Sequence, residues 1–201
     1  MENRETFFAR LTPFMPPSKL RNIEVAYMMA KFAHRAQVRK DLDQNGDPVR
    51  YFEHLRRVAL LLIDNFEVRD WRMICAALLH DSLEDTKDIT AEIIEHLFGA
   101  EVCRMVQLLS KCPKEGYFQR LKSFGDERVF LIKGCDRLDN LNSMESVSRE
   151  FVVKQLKETR NVYLPLWESL DNSEFRKLGL KIHIRMNELK NSFQIKEEEI
   201  L

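Results

Sequence analysis

The stretch WRMICAALLHDSLEDT, residues 71–86, decides the fold class. Ile74 through Leu79 are all apolar, so the segment reads as a helix that is hydrophobic almost all round and runs through a core. It then turns abruptly polar at His80, Asp81, Glu84 and Asp85. Upstream, Tyr51, Leu55, Val58 and Leu62 repeat at helical spacing and predict a neighbouring helix. Before that, DLDQNGDP (41–48) is the strongest turn signal in the chain, because Asn-Gly and Asp-Pro both resist helix continuation. Ser18 is placed to cap a long helix through roughly Lys40, with Ile23, Tyr27, Met29, Ala30 and Ala33 on its stripe, and residues 1–17 read as a short amphipathic piece closed by PFMPP.

Downstream, helices are expected from Thr90 to Gly99, over 100–111, 117–124 and 127–144, and over 147–170 and 174–193. No strand alternation of useful length and no internal repeat is present. The fold class is therefore all-α. The expected organisation is a single domain with an extension at 1–20, a core at 21–170, and a C-terminal helix and tail at 171–201 packed on the same domain.

Six glycines and six prolines among 201 residues, with 44% hydrophobic and 32% charged residues, suit a helix-rich globule and disfavour a collagen, a disordered tail or a β-sandwich. Lys+Arg and Asp+Glu balance at 32 each, so no overall positive field draws nucleic acid or an anionic membrane. Local groups must meet any anionic ligand. Cys75, Cys103, Cys112 and Cys135 are far apart, without a C-x-x-C pair, and read as reduced thiols. No apolar run approaches a membrane span, and the expected location is the cytoplasm.

Four titratable groups at the end of a buried helix need an explanation. Helical spacing pairs His80 with Glu84 and Asp81 with Asp85, and buried carboxylates cost several kcal/mol unless a cation offsets them. An exposed, solvated helix end is the alternative reading of the same spacing. His54 borders the apolar face of its helix, where a satisfied core histidine is the usual outcome. Asp136 follows another apolar run in VFLIKGCDRLDNL, with Asp139 and Asn140 one turn on, and a partly buried salt bridge to Arg137 would also account for it.

Together these segments resemble the hydrolase (HD) domain of RelA/SpoT-type alarmone enzymes, and most closely the stand-alone small alarmone hydrolases. The resemblance rests on FAHRAQVRK (32–40), GDPVRYFEHLRRVA (46–59), AALLHDSLEDT (76–86), FGAEVCRMVQLLSK (98–111) and LIKGCDRLDNL (131–141), in the family's order. It implies an HD-domain bundle of about eight to ten helices and a cytoplasmic enzyme hydrolysing (p)ppGpp to GDP or GTP plus pyrophosphate. It also implies metal ligands at His54, His80, Asp81 and Asp136, with Mn²⁺ favoured by an imidazole and carboxylate set and Fe or Zn as competitors.

Glu84 and Asp85 fall on the family's pair that positions and deprotonates the attacking water, Glu84 being assigned the activating role. Arg39 and Lys40 fall on the basic pair near base and phosphates, with Arg35 nearby, Asn140 on a ribose contact, and Tyr163 on a tyrosine of a later helix. The chain departs from the pattern at Ala36, where the family often has glycine, and at Asp139, where it often has histidine or tyrosine. A carboxylate at 139 would repel a phosphate or face solvent. Five residues separate Pro48 from His54, about two more than is usual.

About 60 residues follow the last of these motifs and read as two helices, so a synthetase domain is not expected. Two other readings compete. One is a phosphohydrolase for another nucleotide, such as the 2′-phosphate of NADPH; the other is a catalytically silent nucleotide-binding module.

Overall fold

A computed structural model describes residues 2–43 and 45–201. Met1 and Gln44, the latter inside the expected 41–48 turn, lie outside the described residues. Among the described residues the protein is all-α apart from one two-stranded antiparallel ribbon. It forms two compact units, the first made of the chain up to Gln37 with Tyr51–Ile132, the second of Val38–Arg50 with Lys133–Leu201. Among the described residues no helix is long and apolar enough to cross a membrane.

In the first unit, helix α1 (Arg4–Leu11) starts at a capping box in which Asn3 accepts from the Thr6 amide, and α2 (Pro17–Ala33) starts with proline in its first turn. In the second unit β1 (Val38–Leu42) pairs with β2 (Pro48–Arg50). Helix α3 (Tyr51–Leu60) opens the rest of the first unit, and a π-helical turn, Leu61–Asn65, extends it. Then comes α4 (Trp71–Leu79), whose residues Ile74–Leu79 are all fully buried, as the apolar run demanded. It packs against α2, α3 and α7 (Ala100–Leu109), so it is the central rod of this unit.

Between them lie the short α5 (Ser82–Asp85) and α6 (Ala91–Phe98), which Thr90 caps and Gly99 ends at φ +88. Next is α8 (Tyr117–Phe124). Helix α9 (Glu127–Asn142) begins in the first unit, and its residues from Lys133 belong to the second. The second unit also holds α10 (Arg149–Glu158), α11 (Leu164–Glu168) and α12 (Ser173–Ser192).

Three expectations are corrected. The helix expected to reach Lys40 ends at Ala33. His34 leaves the helical region, its Nδ1 lies 2.7 Å from Gln37 Oε1, and Gln37 Nε2 donates to the Asp85 carbonyl at 2.7 Å. A local bond and a long-range one thus hold the turn against helix propensity, and Arg39 and Lys40 emerge on β1, a strand the sequence pattern did not show. Within the five residues between Pro48 and His54, Val49 and Arg50 lie in β2, with Arg50 opposite Val38.

The helix expected over 147–170 is interrupted. Pro165 lacks an N–H and its ring would press on the carbonyl of Asn161, and the chain answers with a π-helical turn, Thr159–Tyr163, closed by Leu164 N–H to Thr159 O. Likewise α4 stops at Leu79, and Asp81 stands as the N-cap residue of the separate α5.

Candidate active site

In the first unit the buried rod α4 delivers His80 at its end, fully buried, and α3 carries His54, 1% exposed. Their rings meet edge to face, 5.3 Å between centroids. Asp81 closes the group, with Oδ2 at 3.1 Å from His80 Nε2 and 3.7 Å from His54 Nε2. One ligand-capable atom from each of the three lies within 4.8 Å of the others. Two donors bound about 2.1 Å from one ion stand about 3–3.5 Å apart, so this spacing suits a shared divalent cation.

The tautomer fits as well. His80 Nδ1 is 2.8 Å from the Ala77 carbonyl oxygen, which can only accept; Nδ1 therefore carries the hydrogen and the neutral ring presents an Nε2 lone pair to the cluster. The solvated helix end is thereby set aside for His80 and Asp81.

Glu84 and Asp85 separate at this point. Lys111 donates its backbone N–H to Glu84 Oε2 at 3.0 Å, which ties Glu84 to the chain leaving α7. Asp85 instead turns back, its N–H bonding to Asp81 O at 2.9 Å. The Tyr51 hydroxyl lies 2.7 Å from Asp81 Oδ2 and 3.0 Å from Asp85 Oδ2. Partial burial, then the charge of Asp81, push the Asp85 carboxyl above its ordinary range, against the lowering bond from Tyr51. Tyr51 stacks on His34 at 4.9 Å with 9° between planes. Burial holds His34 below the usual histidine range.

Sequence reasoning gave His34, Gln37 and Tyr51 no role. The available signal was Tyr51 lying three residues before His54, which on a helix is one turn away on the same face.

In the second unit the remaining expected residues form their own chain of contacts. Asp136 is 5% exposed, and its Oδ2 pairs with Lys133 Nζ at 2.6 Å. Its partner is thus Lys133 and not Arg137, which bonds Glu158 and Gln155 instead. Asn140 Nδ2 donates to Asp136 Oδ1 at 2.7 Å, and Asn140 Oδ1 accepts from Arg39 Nη2 at 3.0 Å. Arg39 Nε also pairs with Asp41 at 2.7 Å. Lys40 Nζ rests 4.4 Å above the Phe151 ring. Asp139 is buried, so the solvent-facing alternative for it is set aside. Tyr163 is fully buried beneath the Arg137 guanidinium, 4.3 Å from its ring, and stacks on Trp167.

Comparison with known proteins places the chain among relatives of one kind. Residues 26–123 match the family model described as HD domain. A guanosine-3′,5′-bis(diphosphate) 3′-pyrophosphohydrolase of Aquifex aeolicus is 38% identical over 159 residues, covering 75% of this chain and 22% of that protein. The bifunctional (p)ppGpp synthase/hydrolase SpoT of Escherichia coli is 29% identical over 184 residues, covering 84% of this chain and 25% of that one. The chain thus spans about a quarter of the length of these curated relatives. A solved structure described as a metazoan ortholog of SpoT that hydrolyses ppGpp superposes with a TM-score of 0.63 at 25% identity, covering 90% of this chain and 98% of that one.

Helical fold, buried His-His-Asp cluster and family match together define an HD-domain protein. Within that class it is similar to RelA/SpoT-type proteins, over about a quarter of the length of the curated ones.

Proposed function

We propose that this chain hydrolyses the 3′-pyrophosphate of guanosine tetra- and pentaphosphate, leaving GDP or GTP and releasing pyrophosphate. The observation that carries the reading is the convergence of His54, His80 and Asp81 beside a tethered Asp85, in a chain whose relatives are named for this reaction. The proposed ion is Mn²⁺, with Fe or Zn as competitors, because the donors are imidazole and carboxylate without thiolate. When bound, it supplies Lewis-acid polarisation of a phosphoryl oxygen and acidifies water. Asp136, the fourth ligand of the proposal, rests on the sequence match alone.

The chain's own residues do the rest. Asp85, bonded through Tyr51 to Asp81, is the proposed acceptor of the water's proton, and Glu84, fixed by the Lys111 amide, helps orient that water. This reverses the roles that helical spacing from His80 and Asp81 suggested for the pair. Arg39 and Lys40 meet the anionic substrate, supplying local positive charge in a chain with no net charge, and Asn140 contacts the ribose. Tyr163, closed from solvent, contributes by holding Arg137 in place. The cytoplasmic location belongs to the same proposal, and it accords with the four free cysteines.

Metal-loaded protein incubated with a nucleotide panel that includes NADPH, with products separated by ion exchange, tests the reading. Pyrophosphate release from guanosine tetraphosphate is expected. Preferential turnover of NADPH would move the substrate assignment, and binding without turnover would favour the silent module. His80→Ala should remove both metal content and turnover, and unchanged metal by elemental analysis would refute the ligand set.

A further inference from the structure

Tyr51 stands at the joint between the metal cluster and the proposed base. Its hydroxyl is within hydrogen-bond distance of both Asp81 Oδ2, at 2.7 Å, and Asp85 Oδ2, at 3.0 Å. The ring cannot wander. It is stacked on His34, which is buried and within 2.7 Å of Gln37, and the Tyr51 backbone N–H donates to the Gln37 carbonyl at 3.0 Å. Gln37 in turn donates to the Asp85 carbonyl. His34, Gln37, Tyr51 and Asp85 are therefore joined in one frame, built from three segments of the sequence, and the Tyr51 hydroxyl and the Asp85 N–H reach Asp81 from it.

We infer that Tyr51 is a positioning residue: its hydroxyl fixes the rotamer of Asp81 for metal binding and the orientation of Asp85 for proton transfer. The physical basis is that the hydroxyl has one hydrogen and two acceptors. Within reach of both, it shares that hydrogen between them as a three-centre bond, so the two carboxylates are held in one arrangement. Loading of the cluster and alignment of Asp85 are thereby coupled through one atom. The catalytic half of this inference rests on the proposed hydrolase reading; the metal half does not.

Tyr51→Phe tests it, since the substitution keeps the ring stack on His34 and removes only the hydroxyl. Mn²⁺ affinity, read by electron paramagnetic resonance of the free ion, should weaken roughly 10-fold, in the range typical when a hydrogen bond to a metal ligand is lost. With metal saturating, kcat for guanosine tetraphosphate should also fall roughly 10-fold while KM moves less than about twofold, because substrate contacts are untouched. A merely structural tyrosine would leave both readings alone in a folded Tyr51→Phe protein, and that result would overturn the inference.

Asp85→Ala gives a second test should Tyr51→Phe fail to fold. It leaves the hydroxyl wholly to Asp81, so Mn²⁺ affinity should stay within about twofold of wild type while turnover is lost. A loss of affinity there would make Asp85 itself a ligand and refute the bridge. Wild-type protein that binds Mn²⁺ but hydrolyses no alarmone would sink the proposed function alone, since the affinity comparison still decides the role of Tyr51.

Discussion

Asn140 holds Asp136 from one helical turn away, donating from Nδ2 to Asp136 Oδ1 at 2.7 Å while its own Oδ1 accepts from Arg39 Nη2 at 3.0 Å. The amide does both because it offers a donor to the carboxylate and an acceptor to the guanidinium. Asn140→Ala should cost about 1–3 kcal/mol of stability, as expected when hydrogen bonds to charged groups are lost. Asn140→Asp, though isosteric, should be worse, since it sets a carboxylate against Asp136. Thermal midpoints should fall in the order wild type, Asn140→Ala, Asn140→Asp. An aspartate variant as stable as wild type would show that the amide does not hold Asp136.

A pH dependence follows from His34. Burial lowers its pKa in the folded state, chiefly through desolvation, against the raising effect of Gln37. The unfolded chain takes up the proton near the ordinary value of about 6.5, whereas the folded state resists it. Protons thus favour unfolding, and the stability linked to His34 is lost as pH falls below about 6.5. In metal-free protein, the difference in denaturant midpoint between wild type and His34→Phe should shrink between about pH 7 and pH 5, because the phenylalanine keeps a ring against Tyr51 but cannot titrate. A difference that stayed constant over that range would mean His34 titrates normally in the folded protein.

The sequence disclosed the fold where burial is complete and local. The all-apolar Ile74–Leu79 run became the central rod of its unit, and Thr90, Gly99 and the 117–124 segment marked helix ends correctly because caps act within a turn. It did not disclose where distant groups reach in to bend the chain. The end of α2 at Ala33 is set by Gln37 bonding to the Asp85 carbonyl across 48 positions, and no propensity records such a bond. The site was legible in the same uneven way. His80 and Asp81 stood out because titratable groups at the end of an apolar run call for compensation, whereas His54 read as a core histidine and was marked only by the family resemblance. Tyr51 was hidden because a tyrosine on a helix reads as core until its hydroxyl partners are known.

Packing of α9 in the second unit offers a stability test. A Cβ added at Gly134 would lie 2.2 Å from Leu178 Cδ2 and 3.2 Å from its Cδ1 and Cγ, so α12 approaches α9 closely there. Gly134→Ala gains about 1 kcal/mol in helix propensity but forces Leu178 to move, an overpacking cost of about 1–3 kcal/mol. The net expectation is neutral to about 2 kcal/mol destabilising. Leu178→Ala alone should cost about 2–5 kcal/mol by leaving a cavity. In that background Gly134→Ala should become stabilising, since the clash is gone and the propensity gain remains. Equal effects of Gly134→Ala in both backgrounds, in a double-mutant cycle by denaturant melts, would deny the contact.

Glu84 and Asp85 of the HDSLED run can be assigned by separating metal content from chemistry. Asp85 is joined to the cluster by the Tyr51 hydroxyl and by its own N–H to Asp81 O, whereas Glu84 is engaged by the Lys111 amide. Asp85→Asn keeps size and hydrogen-bonding reach but cannot accept the water's proton, so turnover should fall by roughly 10²–10⁴-fold with metal retained. Glu84→Gln leaves an oxygen that still accepts from Lys111, so its fold and metal content should be unchanged. Its turnover should fall by less than about 10-fold if its part is orientation. Rates measured at saturating Mn²⁺ on variants of equal metal content decide the matter. A larger loss in Glu84→Gln than in Asp85→Asn would return the proton to Glu84, the assignment suggested by its place one helical turn beyond His80, and leave Asp85 to orient the water.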